Sequence, residues 1–143
     1  MSAFDEALQK IVNMSDEEKI DMACDSYAKI FPVCKQIDPE YSGAMVVCQI
    51  FGTAAAADGK LSDKENALLK AMFNAQGAEM DDNDIMNIMR KIDGNSYSFI
   101  EQLAKQLKDE YRFALVSLIA AICAIDDRIA ADEVGFIRSL LED

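Results

Sequence analysis

Carboxylates set around a helix-ending turn are the plainest chemistry in this chain. The stretch AAAADGKLSDKE, residues 54–65, puts Asp58-Gly59, Leu61 and Glu65 where positions 5, 6, 8 and 12 of an EF-hand loop would fall. Positions 1 and 3 would then be Ala54 and Ala56, which carry no side-chain oxygen, so the front half of that loop fails. A second acidic stretch, CAIDDRIAADE at 123–133, carries Asp126, Asp127, Asp132 and Glu133. Carboxylates beside the unpaired carbonyls of a helix end make an all-oxygen set of the kind Ca2+ or Mg2+ accepts. The candidate metal ligands are Asp58, Glu65, Asp126 and Glu133, with Asp63, Asp127 and Asp132 as further donors. Structural work suits the same residues, since Asp at a turn accepts backbone N–H bonds and Glu three residues after Ser completes a capping box. Two observations favour something beyond capping. Asp58 and Asp126 end expected helices, where the macrodipole disfavours negative charge. The second stretch also keeps both acids while losing the Gly and Ser that turn chemistry uses.

Other chemistries lack their parts. The chain has no histidine, and Cys24, Cys34, Cys48 and Cys123 form no CxxC, so zinc and copper sites are not expected and the thiols read as reduced and mostly buried. No glycine-rich phosphate loop and no G-x-S-x-G elbow occurs. A non-catalytic module that needs no cofactor is therefore the leading expectation. Its competitor is a metal-dependent enzyme or enzyme subunit working through Asp58, Glu65, Asp126 and Glu133. With 14 basic against 26 acidic residues, the net charge of −12 repels phosphate backbones and anionic lipid. Nucleic-acid binding and membrane insertion are not expected; a protein partner or cations are. The start MSAFDEALQK lacks signal-peptide order, and the apolar run Phe113–Ile125 is shorter than the ~20 residues a bilayer span needs. A cytoplasmic protein is expected, with that run as a buried core helix.

The elements that position these acids follow from apolar spacing of three and four, with no strand alternation. One short amphipathic helix covers Ala3 to Asn13. A capping box at Ser15–Glu18 opens a second, expected to stop near Phe31 because Pro32 follows. Asp38-Pro39 supplies an N-cap and first-turn proline for a third helix running to Asp58-Gly59. A second capping box, Ser62–Glu65, opens a helix that ends near Gly77. A short helix in DDNDIMNIMRKID stops at Gly94, and Ser98 with Glu101 opens another to Leu107. An apolar helix then runs from Asp109 to Asp126-Asp127, and a last one from Ala131 to Leu141. Core packing is the expected use of Met72, Met80, Met86 and Met89; the best candidate for a partner surface is the segment GAEMDDNDIMNIM, with Met80, Ile85 and Met89.

A shift of 68 residues lays AAADGKLSDKENALLKAMF over CAIDDRIAADEVGFIRSLL, matching Asp58 with Asp126 and Glu65 with Glu133. Lys60 meets Arg128 and Leu61 meets Ile129. With both corners in hand, the chain resembles the tellurite-resistance protein B (TerB-like) family. The shared pattern is an Ala-rich helix end, Asp-Gly, an apolar residue, Ser, and Glu three residues on. The resemblance spans about residues 38–143 and implies a compact all-α fold of about seven helices. It implies a bacterial setting of stress, tellurite or metal-ion resistance, divalent-cation binding at the corners, and no established reaction. The expected organisation is one domain over 1–143, with leading helices at 1–37 and two related helix–corner–helix halves at 38–77 and 106–143. Small residues at Ala54–Ala57 and at Ala120, Ala121 and Ala124 allow close helix approach. The two corners are thus expected on one side of the fold, with carboxylates within about 12 Å.

Overall fold

The computed structural model describes residues 2–40, 43, 46–50, 62–77, 79–90, 96–127, 129 and 131–141, with backbone only at 88–90, 96, 97 and 132. The fold is all-α. Eight helices occur among the described residues, and no strand. They are α1 (Ala3–Val12), α2 (Asp16–Ile37), α3 (described at 46–50), α4 (Asp63–Ala75), α5 (Asp82–Arg90), α6 (Ser96–Gln106), α7 (Asp109–Ala124) and α8 (Ala131–Leu140).

The centre is α7. From Ala114 to Ala124 every residue but Ser117 is buried, so this helix is apolar almost all round and must be enclosed by neighbours. Among the described residues its largest interface is with α2, α1, α6 and α8 also pack on it, and α4 packs on α2. Lys29 pairs with Glu110 at the start of α7 and Lys19 with Asp127 just past its end, so α2 and α7 run antiparallel. The buried stripe of α2 is Lys19, Ala23, Tyr27, Ile30 and Cys34. Among the described residues no helix is long and apolar enough to cross a membrane.

Both expected capping boxes are present. Ser15 accepts from the Glu18 N–H and Ser62 from the Glu65 N–H, each at 3.1 Å, and each Glu side chain accepts in return from the serine N–H. Three expected boundaries are corrected. Pro32 does not end α2 but lies inside it. It removes one backbone donor, a cost of roughly 3 kcal/mol in a helix interior. Ile30 and Cys34 on either side are 1% exposed, and burying such side chains contributes about 1.5–3 kcal/mol each, so packing carries the helix through the proline. In consequence Asp38 caps the C-terminus of α2, its N–H donating to the Cys34 carbonyl, rather than opening α3. Gly43 has a φ of +87°, and a Cβ added to it would fall 2.9 Å from the Cys34 Cβ, so both backbone and space demand glycine there. Finally, α6 begins at Ser96, which places Ser98 inside its first turn. The expected course of α3 to Asp58-Gly59 and the stop at Gly94 lie outside the described residues.

Of the partner-surface candidates around α5, Ile85 is 3% exposed and Met80 packs against the central cluster, while the side chain of Met89 lies outside the described residues; Met86 faces solvent. Asn66 and Lys70 of α4 hold Asp82 at the start of α5.

Two outcomes follow from this architecture. Pro32 is exposed, so Pro32→Ala restores a helical N–H without opening a cavity and should raise stability by about 1–2 kcal/mol in urea unfolding; a lowered midpoint would mean that the helix depends on the proline bend. The described core is apolar and α1, α2 and α4 carry their own serine caps, so excess EDTA should leave a cooperative helical circular-dichroism melt. A spectrum that turns helical only on adding Ca2+ would contradict this.

Candidate functional site

Lys19 sits in register with the apolar stripe of α2 and is wholly buried. A buried ammonium needs a partner because desolvation is otherwise too costly. Its partner is Asp127, at 2.8 Å from Nζ to Oδ1. Asp127 stands two residues past the C-cap of α7 and has φ +69°, the left-handed region that favours glycine and admits Asp more readily than most residues. Its N–H closes the helix on the Ala124 carbonyl at 2.8 Å.

The other oxygen of Asp127 accepts from Lys64 of α4 at 3.2 Å, and Lys64 also reaches Asp16 of α2 at 3.4 Å. Next to it, Ser62, the N-cap of α4, donates its hydroxyl to both oxygens of Asp126 at 3.1 Å. The serine N–H is held at 2.8 Å by Glu65, a carboxylate only 7% exposed. The first turns of α2 and α4 thus converge on the C-terminal end of α7. The positive ends of two helix dipoles meet the two acids that the dipole of α7 opposes.

Of the expected ligand set, Asp126, Asp127 and Glu65 are brought together around Ser62, Lys64 and Lys19. The Glu65 and Asp126 carboxylates both bond to Ser62, so the described parts of the two corners lie on one side of the fold. Asp63 is exposed at the start of α4, and Glu133 is half-buried in the first turn of α8. Asp58 lies outside the described residues, as does the side chain of Asp132. Among the described residues no group of three or more His, Cys, Asp or Glu is placed to hold a metal ion.

Hydrogen bonds from Lys19 and then Lys64, reinforced by their charges, hold the Asp127 carboxyl below its ordinary range. The hydrogen bond to Asp127, with a further one to Asp16, raises the Lys64 ammonium. All four thiols are reduced, and burial pushes Cys34 and Cys48 up to about 12, so both stay protonated and poor as metal ligands or nucleophiles.

Lys19 is the residue that motif reasoning passed over. Its signal was its spacing, four before Ala23 and eight before Tyr27, which puts it on the buried face of α2.

A model of the family described as Tellurite resistance protein TerB matches residues 44–142. No curated protein and no solved structure shows a significant match to the chain. The matched span contains Ser62, Lys64, Glu65, Asp126 and Asp127, whereas Lys19 and Asp16 lie ahead of it.

Removing Asp127 leaves a buried ammonium without its counter-charge, so Asp127→Ala should lower the urea midpoint clearly, and adding Lys19→Met should recover most of the loss. A double variant no more stable than Asp127→Ala would separate the two residues. The pH dependence has a defined sign. With its folded pKa depressed, Asp127 contributes stability above its unfolded value of about 3.9 and loses it as pH falls through the lower folded value. Acid unfolding of Asp127→Asn should therefore start from a lower plateau and fall less steeply below about pH 4.

Proposed function

Because the chain belongs to the family of the tellurite resistance protein TerB, matched over residues 44–142, we propose that it is a non-catalytic helical module of bacterial tellurite or metal-ion stress that works by binding a protein partner in the cytoplasm. Weak divalent-cation binding at the acidic corners accompanies that role. The family match is the observation that carries this reading. The use of the described carboxylates supports it: Glu65, Asp126 and Asp127 fasten helix ends together through Ser62, Lys64 and Lys19.

The cation component draws on oxygen donors, Asp58 of the first corner and Asp126 of the second, and takes Ca2+ or Mg2+. The ammonium groups of Lys19 and Lys64 beside Asp127 repel a further cation, which keeps the affinity low, with a Kd of about 10⁻⁴ M or weaker. Calorimetric titration of Ca2+ and of Mg2+ should give small heats in the wild type that disappear in Asp58→Asn/Asp126→Asn. Equal heats in both proteins would take these residues out of the site. Affinity capture from the native host, with Ca2+ and with chelator, should return a specific protein in at least one condition; loss of every specific band would overturn partner binding.

A further inference from the structure

Leu8 is the one buried residue of α1, whereas α7 beneath it is buried almost all round. Phe4 and Ile11 pack partly against the core, and Ala3, Glu6, Ala7, Gln9 and Lys10 face solvent. On the side of α8 the packing is open: a groove of about 520 Å³ separates Leu8 and Val12 from the half-buried Ile129 and Val134. At its start α1 is held by Arg138 of α8. The guanidinium donates to Asp5 at 3.2 Å and lies 5.0 Å from the centre of the Phe4 ring.

The start of α2 is fastened independently of α1. It opens on its own Ser15–Glu18 capping box, and its first turns are fixed by Lys19 on Asp127 and by Asp16 on Lys64. Asn13 caps α1 and Ser15 already caps α2, so Asn13 and Met14 are the whole link between them. Off its seat α1 cannot persist, because its 10 residues fall short of the ~12–15 at which an isolated helix becomes even marginal in water. Seat and helix are therefore gained or lost together. The segment has two states, docked and helical or released and unfolded.

The surface under α1 belongs to α7 and α8, within the family-matched residues 44–142, while α1 itself lies ahead of them. We propose that α1 is a detachable strap over this face: it undocks and melts as one unit about Asn13 and Met14 while α2 and α7 stay folded, and Arg138 is the latch that sets how often it does so. Release uncovers apolar side chains of α7 together with Ile129 and Val134, so the strap controls access to that face. The device rests on the packing of α1 and is independent of the partner reading above.

Native-state hydrogen exchange of the full chain, followed by NMR over a series of low urea concentrations, tests this. The hydrogen-bonded amides of α1 should share one protection factor, lower than that of α7 and nearly insensitive to urea, because their opening exposes little surface. Exchange in α7 should quicken with urea. Arg138→Gln loses an exposed ion pair and a cation–ring contact, so it should speed exchange in α1 roughly fivefold and leave α7 unchanged. Lys105→Gln, which removes a cation from the exposed face of α6, should change neither. Leu8→Ala should speed α1 roughly a hundredfold with the α7 amides still protected. Protection graded along α1 would mean fraying from one end and would overturn the strap. So would α1 and α7 sharing one protection factor and one urea dependence, or loss of α7 protection in Leu8→Ala. Arg138→Gln speeding α7 as much as α1, or leaving α1 untouched, would overturn the latch.

Discussion

A lysine ammonium inside an apolar core has few ways to exist, and the corner of this fold is arranged around one of them. Lys19 is buried on the face of α2 that packs against α7, so its charge must be answered from within the protein. The answer is Asp127, which only reaches Nζ because the chain turns left-handed as it leaves α7. A glycine would meet the backbone demand with less strain but would leave the ammonium unanswered. Asp meets both demands, and the N–H of the same residue closes the helix it follows. The placement also resolves an electrostatic conflict inside α2. A cation in a first turn opposes the helix dipole, yet Asp16, Glu17 and Glu18 surround it there and Asp127 neutralises it.

From that pair the neighbouring contacts extend in order. Lys64 takes the second oxygen of Asp127 and reaches Asp16, which fastens the start of α4 to the start of α2. Those two ion pairs are solvent-exposed and weak individually. Their effect is to fix direction: with α4 held there, its N-cap Ser62 can cap its own helix and donate to Asp126 at once. The result is a three-helix junction in which the acids at one helix end are satisfied by the hydroxyl, the ammonium groups and the dipoles of two helix starts. That junction also sets the antiparallel register of α2 on α7 and so positions the helix on which α1 packs.

Much of this was legible in the chain. The capping boxes at Ser15 and Ser62, the apolar run of α7 and the stop at Gly77 are local features, written in residues close together in sequence, and the structure has them where local chemistry puts them. Pro32 and the start of α3 were not, because proline is read as a local breaker while the burial of Ile30 and Cys34 is decided by tertiary packing, which includes the approach of Gly43 to Cys34. The corner acids were legible as a group and ambiguous in purpose. Asp127 stands where the first corner has Gly59 and takes a left-handed turn itself, so the loss of Gly there is no loss of turn chemistry; that it answers a lysine 108 residues earlier is a tertiary fact no turn motif contains. The periodicity of α2 held the other half of the clue, since a lysine in step with Ala23, Tyr27 and Ile30 has to find an anion.

The distinction between paired and surplus charge determines how the acidity of this protein acts on its surroundings. The acids of the junction are compensated by protein cations, so at a distance they contribute little field. The surplus lies elsewhere: with 26 acidic residues against 14 basic ones, acids outnumber bases by twelve even if every lysine and arginine is paired. That excess gives a negative potential reaching about 8–10 Å into solvent at cellular salt, enough to raise the encounter rate of any basic partner without specifying where it binds. Specificity has to come from a place where charge and apolar surface coincide.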